Sequence, residues 1–183
     1  MKATEILLQE HSLIEGVLDA LEQGARKLAS GAELPAGFFV DAAEFIRGFA
    51  DDAHHRKEEG VLFKAMARHG FQEDAGPLAV MLAEHEEARR TTLALAEAAE
   101  RLRRGEASAR EEVIMNAFAY VRLLRQHIMK ESNVLFRMAD QVIPESEHAA
   151  IDAGFAQVER EEIGPAAHAK YAALARKLRD QVA

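Results

Sequence analysis

Apolar residues recur every three to four positions along almost the whole chain, and no run of alternating β-branched residues interrupts them. That is the period of amphipathic helices. Ala, Leu, Glu and Arg, all strong helix formers, dominate. Gly and Pro divide the pattern. A first helix is predicted from about Thr4 to Ala29, with Thr4 as N-cap and Gly31 as its stop. Pro35 suits the first turn of a second helix, which runs to His69 and ends on Gly70. Gly76-Pro77 opens a third, which closes before Gly105. The fourth starts on the capping-box pattern Ser108-Ala109-Arg110-Glu111 and runs to about Asp140.

Each of these helices is about 40–50 Å long at 1.5 Å per residue. Short connections make successive neighbours antiparallel. The expected fold is all-α: an up-down-up-down four-helix bundle over residues 1–140. Residues 141–183 form a C-terminal helical appendage packed on the bundle, in two helices near 146–163 and 165–182, split at Gly164-Pro165. The apolar stripes Ile151, Phe155, Val158 and Tyr171, Leu174, Leu178 are modest.

Composition narrows the chemistry. The chain has 183 residues, 49% of them hydrophobic, enough for one domain with a real core. It contains no cysteine, which excludes disulfides, thiol redox motifs, Cys-ligated zinc and iron–sulfur clusters. Any metal is held by nitrogen and oxygen. A net charge of −8 argues against a nucleic-acid partner. No stretch approaches a membrane span, so no membrane partner is expected. The N-terminus lacks an apolar signal region, which makes a cytoplasmic protein the default expectation.

Each long helix carries a histidine where its apolar stripe should continue. His11 shares a face with Leu7, Ile14 and Leu18; His85 lies with Leu78, Met81 and Leu82. His54 is followed by Glu58 and Leu62 at four-residue steps, and His127 by Glu131 and Leu135. Residues four apart stack on one helical face, so both His/Glu pairs point toward the core. Buried unpaired, such groups cost several kcal/mol, and buried carboxylates are normally paired or metal-bound. Four His and two Glu are too many for one tetrahedral zinc and suit a dinuclear centre with an open position. The second and fourth helices also repeat one motif, H-x-x-K-E-x-x-V-L-F, at residues 54–63 and 127–136.

With His54-His55-Arg56-Lys57-Glu58-Glu59, the pairs Glu10-His11 and Glu84-His85, and His127-Ile128-Met129-Lys130-Glu131, residues 1–140 resemble the hemerythrin-like, HHE cation-binding family. The resemblance implies a non-haem di-iron centre with carboxylate and oxo or hydroxo bridges. Its ligands would be His11, His54, Glu58, His85, His127 and Glu131. It implies a diatomic or peroxide ligand, an electron donor, and a role in oxidative or nitrosative stress or iron handling. An oxidoreductase of peroxidase or NO-reductase type is one form of that activity; an oxygen, iron or redox sensor without turnover is the alternative. A bundle without metal, its His and Glu paired internally, is a third. Monomer and homodimer both remain open.

The sequence departs from the oxygen-carrying members of the family. Arg89 stands four residues after His85, where they have a second histidine, and the last carboxylate is Glu131. One imidazole is therefore missing from the expected set. His168 is a candidate to replace it, with Tyr171 as a nearby donor and Arg89 as an outer contact; the plainer reading of His168 is packing of the appendage. His55 and Glu59 repeat the four-residue spacing one position on, but the alignment of the two motifs selects His54 and Glu58, leaving His55 and Glu59 on a solvated face. His69 is expected to serve a helix C-terminus.

Overall fold

The computed structural model describes residues 2–164 and 167–183, and all regular elements among them are helical. Helix α1 is Ala3–Ala29. Helix α2 covers residues 38–68 and contains two π-helical stretches, Ile46–His55 and Glu58–Leu62. Helix α3 is Gly76–Arg103. Helix α4 covers residues 110–142, with a π-helical stretch at Glu131–Leu135. Two shorter helices follow. α5 is Glu145–Val158, continued by a π-turn at Glu159–Ile163, and α6 is Ala167–Asp180. The predicted break at Pro165 lies outside the described residues.

Several helix starts differ from expectation. Lys2, not Thr4, caps α1, and its backbone N–H donates to Glu5 Oε2 at 2.9 Å. Thr4 Oγ1 instead donates to Asp140 Oδ1 at 2.9 Å, pinning α1 to the end of α4. Pro35 precedes α2, its carbonyl accepting from the Phe38 N–H at 2.9 Å in a turn. Ser108 makes no side-chain cap; it sits in a 3₁₀ turn, Ala107–Ala109, that leads into α4. Pro77 does occupy the first turn of α3, where its missing N–H costs nothing.

Two apolar layers hold the helices together. The larger includes Leu18, Leu21, Phe45, Phe49 and Leu124; the smaller includes Leu7, Leu62, Phe63, Leu78 and Phe136. Helices α1 and α3 pass from the smaller layer to the larger, and α2 and α4 pass the opposite way. On all four, the stretch between the layers carries buried histidines or carboxylates. The appendage spans both layers: Ile151 and Phe155 join the smaller, while Tyr171, Ala175, Leu178 and Val182 join the larger. Gly48 is required for that seating, because a Cβ there would lie 1.7 Å from the Tyr171 hydroxyl. Among the described residues, no helix is long and apolar enough to cross a membrane.

Candidate metal centre

The six residues selected from the sequence converge. His11, His54, Glu58, His85, His127 and Glu131 are each at most 2% exposed. His54 Nε2 lies 3.3 Å from Glu58 Oε1, and His127 Nε2 lies 3.1 Å from Glu131 Oε2. His11 Nε2 is 3.3 Å from Glu131 Oε2, and His85 Nε2 is 3.5 Å from Glu58 Oε2.

A seventh residue joins them. His55, expected on a solvated face, is 1% exposed and stacks on His85 with ring centroids 3.9 Å apart. The π-helical stretch explains it. Apolar doublets Phe45-Ile46 and Phe49-Ala50 step by four residues, and His54-His55 follows after a step of five. A π-turn absorbs one extra residue, so both members of the histidine doublet face inward. Those doublets are the signal in the sequence that a strict 3.6-residue period overlooks.

The donor atoms form two sets, each within 4.8 Å: His55, Glu58, His85 and His127, and His11, His54, Glu58 and Glu131. Glu58 belongs to both. Its two oxygens, those of Glu131, both ring nitrogens of His55, and Nε2 of His11 and of His54 are buried without a hydrogen-bond partner. Buried polar atoms are nearly always satisfied, and eight orphans at one spot fit a place where a cation is held. Nitrogen and carboxylate donors alone, in this number, suit a dinuclear site of iron-like cations and exceed the four ligands of a structural zinc.

Outer contacts aim the rings. Glu10 Oε2 lies 2.9 Å from His54 Nδ1 and Glu84 Oε2 lies 3.0 Å from His127 Nδ1, so each ring turns Nε2 toward the centre. Glu10 also pairs with Lys57, and Glu84 with Lys130. The pattern is one device used twice: Glu-His on one helix holds His-x-x-Lys-Glu on the next. His85 Nδ1 lies 2.7 Å from Glu59 Oε1, and His11 Nδ1 lies 2.9 Å from Ser132 Oγ, the residue matching Glu59 in the second motif. The halves differ where His55 matches Ile128. Glu59 is half-buried between His85 and Arg89, which corrects its solvated reading.

Burial alone would lower the His54 pKa, but the charge of Glu58 and the contact with Glu10 outweigh it and push it up to about 10. His127 follows the same balance, burial against Glu131 and Glu84, and reaches about 9. Burial and the neighbouring imidazoles hold His55 well below its ordinary value, in the neutral form that ligates metals. Burial raises the Glu10 carboxyl, but His54 and Lys57 win and lower it to about 2.

The three remaining candidates lie outside the two donor sets that share Glu58. Arg89 reaches Glu59 at 2.7 Å and Asp51 at 2.7 Å, one contact behind the ring of donors. His168 is half-exposed and pairs with Glu159 at 2.9 Å, outside that ring. Tyr171 packs over Gly48 against Phe45 and Phe49. Neither His168 nor Tyr171 is in the two donor sets that share Glu58, whereas His55 lies beside His85. His69, at the end of α2, is paired with Glu147 at 2.7 Å.

Buried His/carboxylate donors on four helices define a cation-binding helical bundle. The hemerythrin HHE cation-binding domain model matches residues 2–139, and the chain belongs to that family. It is 26% identical over 164 residues to the uncharacterized proteins Rv1995 and MT2051 of Mycobacterium tuberculosis and Mb2018 of Mycobacterium bovis, covering 90% of this chain. The chain spans 64% of the length of those relatives. No solved structure is a significant match.

Proposed function

We propose that the chain binds two iron ions and, at them, a small ligand such as dioxygen, nitric oxide or peroxide. One observation carries this reading: seven buried side chains converge in two sets that share Glu58, and five of them hold eight polar atoms with no hydrogen-bond partner. His55, Glu58, His85 and His127 would hold one ion, and His11, His54, Glu58 and Glu131 the other. When bound and reduced, the iron would supply electrons for the reduction of dioxygen or peroxide.

The protein's own part is positioning. Glu10 and Glu84 hold the Nδ1 protons of His54 and His127, which keeps each Nε2 lone pair aimed inward. Glu58 and Glu131 offset the cations' charge. Phe63 and Phe136, at rings 5.9 Å from His85 and 5.3 Å from His11, exclude bulk water from that side. A role in oxidative or nitrosative stress or in iron handling follows from that chemistry.

A second reading, sensing without turnover, has its own support. Lys57 is fully buried and joins Glu10 to Glu159, 2.7 Å away in the C-terminal segment. That links the His54 side of the centre to the appendage. Iron loading followed by metal analysis, absorption and turnover with peroxide or nitric oxide tests the proposal. Two irons, a near-ultraviolet oxo-bridge band and repeated turnover support an enzyme. Stoichiometric binding with altered protection of residues 145–183 supports a sensor. A colourless protein that takes up no iron refutes both.

A further inference from the structure

None of the seven inward-facing donors is more than 2% exposed, so a ligand from solvent must pass a side chain to reach them. A cavity of about 330 Å³ opens between α2 and α3, and two of its lining residues touch the centre's surroundings. Asp51 Oδ1 lies 3.5 Å from His55 Nδ1. Arg89 donates to Glu59, the residue that takes the Nδ1 side of His85. Arg89 therefore stands between the cavity and the stacked pair His55 and His85.

The way Arg89 is held suits a gate. Its Nε donates to Asp51 at 2.7 Å and its Nη2 to Glu59 at 2.7 Å, both on the inner side. Its Nη1 donates at 2.6 Å to Glu86, which is 61% exposed. If the inner contacts open, the guanidinium keeps a carboxylate partner at the surface, so opening does not strand the charge. The lining also states a preference. Asp51 and Glu44 offset Arg47 and Arg89, and Ala43 and Ala96 add apolar wall. Such a chamber has no surplus positive charge to gather an anion, and it admits small neutral molecules.

The geometry points to this cavity as the route by which small uncharged ligands, a diatomic gas or hydrogen peroxide, reach the His55 side of the centre, with Arg89 as its gate. The inference rests on the reading that such ligands bind there. Two variants test it in opposite directions. Arg89→Ala opens the gate, and Ala96→Phe fills the chamber without touching the donors.

Nitric oxide binding to the reduced, iron-loaded protein, followed by stopped-flow absorbance, is expected to quicken on the order of tenfold in Arg89→Ala, the value of one charged contact, and to slow by a similar factor in Ala96→Phe. A second readout needs no metal. Carbethoxylation of His55 by diethyl pyrocarbonate in the metal-free protein, followed by peptide mass mapping, should change in the same two directions. Equal rates in all three proteins overturn the route, and a change in Ala96→Phe alone overturns the gate. If the wild-type protein binds no nitric oxide, the functional reading fails, and the His55 modification rates still decide the route.

Discussion

The imidazoles of His55 and His85 stack with centroids 3.9 Å apart and planes 18° from parallel, and neither nitrogen of His55 has a hydrogen-bond partner. This pair sets up a prediction with two signs. His55→Leu removes two unsatisfied buried nitrogens, so the metal-free protein should gain about 1–2 kcal/mol in urea unfolding. The same change should weaken one of the two iron sites by at least about tenfold, since even contacts behind a ligand are worth ~10–100-fold. Iron titration checks it. Two irons held at wild-type affinity in His55→Leu would remove His55 from the ligand set.

Glu10 and Glu84 are equivalent in the repeated motif but not in surroundings. Lys57, beside Glu10, is fully buried, whereas the Lys130 side chain beside Glu84 is 35% exposed. Both Glu→Gln changes should weaken metal binding about 10–100-fold. Their effects on the metal-free fold should differ. Glu10→Gln breaks a buried pair and should cost about 3–5 kcal/mol, while Glu84→Gln should cost roughly 1 kcal/mol or less. Thermal unfolding of the two variants side by side measures the difference; equal losses would contradict it.

The two raised histidines predict a pH dependence. His54 and His127 shift from 6.5 to about 10 and about 9 in the metal-free protein. A raised folded-state value contributes stability that is complete below pH 6.5 and lost as pH climbs toward 9 and 10. Metal-free stability should therefore fall between pH 7 and 10, by on the order of 1 kcal/mol per pH unit per group. Metal must displace those protons, so iron affinity should rise over the same window. Denaturant melts of the chelated protein and iron titrations across that window test both slopes, and parallel slopes would contradict the account.

Gly48 carries the seating of the appendage. Gly48→Ala drives a methyl into the Tyr171 hydroxyl, and either α6 or α2 must move. A loss of about 1–3 kcal/mol is expected, together with faster amide exchange in residues 167–180. An unchanged exchange pattern would show that the contact does not hold α6 in place.

The helices and six inward-facing donors were legible because each donor interrupts an apolar stripe on a regular helix. Thr4, Pro35 and Ser108 misled because their cap chemistry is local, while Asp140 captured the Thr4 hydroxyl from a distant helix. His55 and Glu59 were hidden by a π-turn, which shifts the inward face by one residue. Glu10 and Glu84 looked like ordinary charged neighbours of His11 and His85. Their roles depend on which helix faces them, and only the packed bundle decides that. His168 lies with Glu10 and Glu159 rather than in the two sets that share Glu58, and the sequence spacing alone does not separate those places.

We propose a two-metal centre completed by His55. Anomalous diffraction at the iron edge from iron-loaded crystals tests it most directly. Two peaks are expected, one among His55, Glu58, His85 and His127 and one among His11, His54, Glu58 and Glu131. A single peak, no peak, or a His55 ring outside bonding distance of either would contradict it.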